Sequence, residues 1–107
     1  MKLLVVIVQD NDVNLLMDDL VENKYSVTKL ATTGGFLKEG NTTLLIGVDE
    51  KKVQDCISLI DRNCKKRRST TFINPSTQGV VMQSIPIEVE VGGATVFVLD
   101  VDQFLKL

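Results

Sequence analysis

A chain of 107 residues is one domain's worth, and 44% hydrophobic with 24% charged residues is the balance of an ordinary globular protein. A net charge of −2 argues against a general nucleic-acid binder, which needs a basic footprint to displace counterions from phosphates. With no histidine, His-based triads, general bases and metal ligands are excluded; with no tryptophan, one tyrosine and four phenylalanines, any aromatic platform is thin.

Leu3 to Val8 is an uninterrupted apolar, partly β-branched run of strand length, the pattern of a central strand covered on both faces. It is too short for a transmembrane helix and lacks the basic lead and cleavage site of a secretory signal, so the expected location is cytoplasmic and no membrane insertion is expected. Asp10, Asn11 and Asp12 offer N-cap oxygens for a helix. Val13, Leu16, Met17, Leu20 and Val21 then form one apolar stripe that ends at Asn23-Lys24. The acidic residues Asp10, Asp12, Asp18 and Asp19 read as a helix start and a solvated face.

Tyr25 to Thr33 reads as a second strand and Thr42 to Val48 as a third, joined by a loop bracketed by Gly34-Gly35 and Gly40-Asn41. Asp49 or Glu50 opens a second helix with the stripe Val53, Cys56, Ile57, Ile60 and Cys64. Lys65-Lys66-Arg67-Arg68 closes it, where positive charge favours the carbonyl end of the dipole. Cys56 and Cys64 are ~12 Å apart along such a helix, too far for a disulfide, and read as core residues of a reducing compartment. Ser69 to Ser84 reads as a long polar loop. Ile87, Val89 and Val91 alternate with Glu88 and Glu90, Gly92-Gly93 marks a turn or bulge, and Ala94 to Val101 is a last buried strand.

The order β-α-β-β-α-β with one additional strand implies an α+β, ferredoxin-like βαββαβ sandwich with an extra C-terminal strand hairpin, as a single domain over residues 1–107. Its helices lie on one face. The other face then needs cover, and another copy of the chain is the natural source.

Chemistry concentrates between Ala31 and Thr43, which hold hydroxyls and glycines around the apolar pair Phe36 and Leu37. Gly35 to Thr42 has phosphate-loop spacing, but Asn41 stands where the lysine belongs and no helix follows, so a nucleotide triphosphatase is rejected. What remains is anion and base recognition. Backbone N–H groups at Gly34 and Gly35, hydroxyls at Thr28, Thr32 and Thr33, charge at Lys29 or Lys38, and the Asn41 amide are suited to it. The competing reading is a tight loop whose Phe36 plugs a subunit interface. Asp100 and Asp102 lie two apart and would share a strand face able to hold Mg²⁺, but no third ligand is evident, so no metal site is expected.

Val8-Gln9-Asp10, the segment Thr28 to Leu37, the run Gly40-Asn41-Thr42-Thr43 and the stretch Glu88 to Leu99 together resemble the PII-like cyclic di-AMP receptor proteins of Gram-positive bacteria. The resemblance extends over nearly the whole chain. It implies a non-catalytic signal receptor that assembles as a homotrimer and holds the cyclic dinucleotide in clefts between subunits. Loop rearrangement would relay its binding to a downstream protein whose identity the sequence does not give. It implies further that Thr28 bonds a phosphate, that backbone at Gly35, Phe36 and Leu37 lines the cleft, that Asn41 reads an adenine, and that Gly47 leaves room for the base. Ser26 stands where the family usually has an arginine near the phosphate, and Lys106, like Lys29, is a candidate auxiliary cation. No cofactor is implied beyond the ligand itself. The alternative reading is a divergent paralogue that takes another nucleotide or regulates a protein partner.

Overall fold

The computed structural model describes residues 1–30, 40–73 and 85–107. Chain order is β1 (Lys2–Gln9), α1 (Asp10–Glu22), β2 (Ser26–Leu30), β3 (Asn41–Val48), a 3-10 turn (Glu50–Lys52), α2 (Val53–Cys64), β4 (Arg67–Ile73), β5 (Ile85–Val91) and β6 (Ala94–Asp100). Four strands form an antiparallel sheet in the order β2-β3-β1-β6, compatible with the ferredoxin-like arrangement, while β4 and β5 pair with each other as a separate two-stranded sheet.

The central position of β1 follows from its apolar run, but only one of its faces is covered by the described residues. Leu4, Val6 and Val8 are buried, whereas Leu3, Val5 and Ile7 between them are half-buried. The expected double cover is corrected here. Both helices lie on the even-numbered face, and nothing among the described residues covers the other. The core on the helix side joins Leu4, Val6 and Val8 to Leu44, Ile46 and Val48 of β3, Val13, Leu16 and Leu20 of α1, and Cys56, Ile60 and Cys64 of α2. Burial pushes both thiols up to about 11, since ionising either would place a charge in an apolar core.

The apolar stripes rotate the helices onto the sheet as their spacing requires, with Val21 left exposed where the α1 stripe runs out. The start of α1 differs from the sequence expectation. Gln9 occupies the N-cap position with no side-chain cap bond, and Asp10 and Asp12 lie in the first turn, where carboxylates favour the dipole. Nor are all the acidic residues of this helix solvated. Asp12 is buried, its Oδ1 accepting from the Arg67 guanidinium at 2.7 Å. Asp19 accepts from Arg62 and Asn63 of α2, both at 2.8 Å.

Four further expectations change downstream of α2. The helix ends at Cys64 with Lys65 as its C-cap, but the rest of the basic run leaves it: Arg67 and Arg68 begin β4, where Arg68 pairs with Glu88, and Lys66 lies 3.8 Å from Glu90. Residues 69–73 are strand, not loop, because β5 supplies a partner for every one of them. The strand that β5 pairs with is therefore β4, not β6. Gly92 and Gly93, both at positive φ, carry the chain from one sheet to the other. β6 itself is an edge strand and mostly exposed, where a buried strand was expected.

Candidate functional site

Alternation along β1, β2, β3 and β6 places one set of side chains on the uncovered face. Register fixes its rows. Ser26 lies opposite Gly47, Gly47 opposite Leu3, and Leu3 opposite Leu99. The next row is Thr28, Leu45, Val5 and Phe97, about 7 Å along the strands.

The Ser26 and Thr28 ends of these rows open into a cavity of about 420 Å³. The start of β1 supplies Met1, Lys2 and Leu3 to its wall, β2 supplies Ser26 and Thr28, and β3 supplies Leu45 and Gly47; Val101 and Phe104 come from the chain after β6. A backbone hydrogen bond from the Val101 N–H to the Met1 carbonyl, 3.3 Å long, holds that last segment against the start of β1. The result is an apolar trough with two hydroxyls on one side and a glycine on its floor. A Cβ at Gly47 would meet nothing within 4 Å, so the open space belongs to the cavity itself.

Charge at this corner is paired within the subunit. The Lys2 ammonium donates to Asp100, which raises Lys2 above its ordinary value and lowers Asp100 below the usual carboxylate range. Asp100 is thereby engaged with a lysine, and no cluster of three metal-ligating groups occurs among the described residues. An anion in the cavity would meet hydroxyls first, with Ser26 exposed and offering no charge of its own.

Of the residues singled out in the sequence, Ser26, Thr28 and Gly47 come together here. Gly35, Phe36 and Leu37 lie outside the described residues. Asn41 lies on the same sheet face but six positions from Gly47, about 20 Å along the strand, in a second cleft of about 260 Å³ with Gln9, Lys66, Gly92 and Gly93. Within one subunit the structure does not bring Asn41 to Thr28 and Gly47. Lys29 projects from the opposite face of β2, and Lys106 is exposed in the C-terminal segment and is not among the residues that line the cavity.

Sequence reasoning missed Met1, Lys2, Leu3, Leu45, Val101 and Phe104 as wall residues. Met1 and Lys2 read as the lead into a core strand, and Leu3, Leu45 and Val101 as strand residues. Only Phe104, a lone aromatic residue after Asp102-Gln103, carried a signal that could have singled it out.

A family model described as cyclic-di-AMP receptor matches residues 1–107, the whole chain. The chain belongs to the cyclic-di-AMP receptor family. This bears out the resemblance read from the sequence. Among solved structures, it is similar to the crystal structure of a functionally unknown protein from Pediococcus pentosaceus ATCC 25745. The two are 43% identical over 99% of this chain and 96% of that chain, with a TM-score of 0.75. Among the described residues, no helix of this family member is long and apolar enough to cross a membrane.

Proposed function

We propose that this protein is a non-catalytic, cytoplasmic receptor for cyclic di-AMP that works as a homotrimer. The family match over the whole chain carries the reading. The cavity supports it with chemistry of the right kind: hydroxyls at Ser26 and Thr28 for a phosphate, and unfilled space above Gly47 for a base.

Placing the ligand between subunits also accounts for the distribution of the candidate residues. Asn41 and Gly47 occupy opposite ends of β3, so a single small ligand touching both ends of the pattern takes one end from each of two copies. In this reading Thr28 holds a phosphate, Asn41 reads an adenine edge, and backbone at Gly35, Phe36 and Leu37 completes the cleft. Rearrangement of the loops adjoining the cleft then relays binding to a downstream protein.

Isothermal titration calorimetry with cyclic di-AMP, against ATP and cyclic di-GMP, tests the reading. Selective binding at one ligand per subunit is expected. Absence of heat at tens of micromolar, in a sample shown to be assembled, would overturn it in favour of another nucleotide or a constitutive protein partner.

A further inference from the structure

The chain does not stop at the edge of the cavity. After the Val101 to Met1 hydrogen bond, residues 102–107 continue without helix or strand, and the third of them, Phe104, returns to the cavity wall. Its side chain is 65% exposed, although it is a large apolar ring beside a trough lined by other apolar groups. Among the described residues that line the cavity it is the one aromatic side chain, and it shares the wall with Ser26, Thr28 and Gly47.

An exposed phenylalanine ring gains when a flat apolar surface covers it, and a purine presents such a surface on both sides. Polar needs at this place are met by two hydroxyls, and the clear space over Gly47 supplies the volume a base requires. An aliphatic ligand would use the trough but would leave the hydroxyls idle; a free phosphate would use the hydroxyls but leave the ring bare. We infer that Phe104 is the stacking platform for a purine base of the ligand, delivered to the cavity by the C-terminal strap. The inference rests on the receptor reading above and assigns a specificity-determining residue to it.

Packing against a second copy of the chain is the other role an exposed ring can serve, and the two roles ask for different things. Stacking needs a π-face; packing needs only apolar volume. The protein has no tryptophan, so Phe104→Trp adds a single fluorophore at the place in question. With cyclic di-AMP as the probe, quenching of that fluorescence is expected at the ligand concentrations that produce heat in calorimetry. Phe104→Tyr should bind within about threefold of wild type, while Phe104→Leu should weaken binding roughly 5- to 150-fold, the range for one lost base–aromatic stack, at unchanged assembled mass by light scattering. Wild-type affinity in Phe104→Leu, unquenched fluorescence in a Phe104→Trp variant that binds, or affinity lost only together with assembled mass would each overturn the assignment alone. No binding by the wild-type protein would overturn the receptor reading and the assignment with it.

Discussion

Gly47 is the next-to-last residue of β3, paired on both sides, with open space where a Cβ would stand and no positive φ to require glycine. Neither strand geometry nor packing within the subunit asks for it, and glycine in a strand interior costs roughly 0.5–1 kcal/mol relative to alanine. A glycine kept against local preference marks a place where something outside the subunit comes close. Gly47→Ala should therefore stabilise the fold by up to ~1 kcal/mol in urea denaturation. Gly47→Leu, whose side chain reaches into the cavity, should keep the fold and lower cyclic di-AMP affinity at least tenfold in calorimetry. Wild-type affinity in the leucine variant would remove Gly47 from the site. Phosphate recognition raises a related question at Ser26, which offers a hydroxyl where a cation would be stronger, charge-assisted hydrogen bonds being roughly twice neutral ones.

Between elements, α1 and α2 are tied by Asp19, which accepts hydrogen bonds from Arg62 and Asn63. The Arg62 hydrogen bond, followed by that from Asn63, holds the Asp19 carboxyl below its ordinary 3.8. A carboxyl whose folded pKa is depressed adds stability that is present above its unfolded pKa and is lost as pH falls through the folded one. The thermal stability of the wild-type protein should thus exceed that of Asp19→Asn at pH 6, and the difference should shrink as pH is lowered below 3.8. It should also shrink in high salt, since the Arg62 partner is solvent-exposed. A difference that is constant from pH 6 to pH 2 would show that the carboxylate charge contributes nothing.

The elements show how far sequence alone reaches. α1 and α2 were legible because each buries one face on a common core, and burial writes a helical period into the sequence. β1 was legible as an apolar run of strand length, but its lack of alternation hid the fact that the helices cover only one face. β4 was not legible. Arg67, Arg68, Ser69 and Thr70 bury nothing on the main core and are held in strand form by β5, some twenty residues downstream. No local pattern records a partner that distant. Gly92 illustrates the same limit: its N–H donates to Gln9 Oε1 at 2.7 Å, and a Cβ there would lie 2.3 Å from the Lys65 carbonyl oxygen, so it is a pivot between sheets. Its sequence context reads equally well as a hairpin turn. For the site, Thr28 could be named from its hydroxyl, and Ser26 and Gly47 were named through the family resemblance, whereas Phe104 reaches the same cavity from the far end of the sequence.

At the scale of the whole molecule, the sheet face that the described residues leave uncovered is where an assembly would form. Phe97 is 51% exposed and Leu99 47%, beside half-buried Leu3, Val5 and Ile7 on the neighbouring strand. A contiguous apolar face of this kind on a folded domain marks an interaction surface. If three copies bury these faces against one another, light scattering should give about 35 kDa, three times the 11.8 kDa subunit. Phe97→Glu places a charge in that interface and should lower the mass to that of one subunit, while Val21→Glu, on the exposed end of the α1 stripe, should leave it unchanged. The fate of binding in Phe97→Glu then locates the ligand. If the cleft lies between copies, with the Asn41 end of one subunit facing the Gly47 end of the next, cyclic di-AMP affinity should vanish together with the assembly. A single-subunit species that still binds would place the whole site in the trough beside Ser26, Thr28 and Phe104, and would leave Asn41, some 20 Å away along β3, with no part in it.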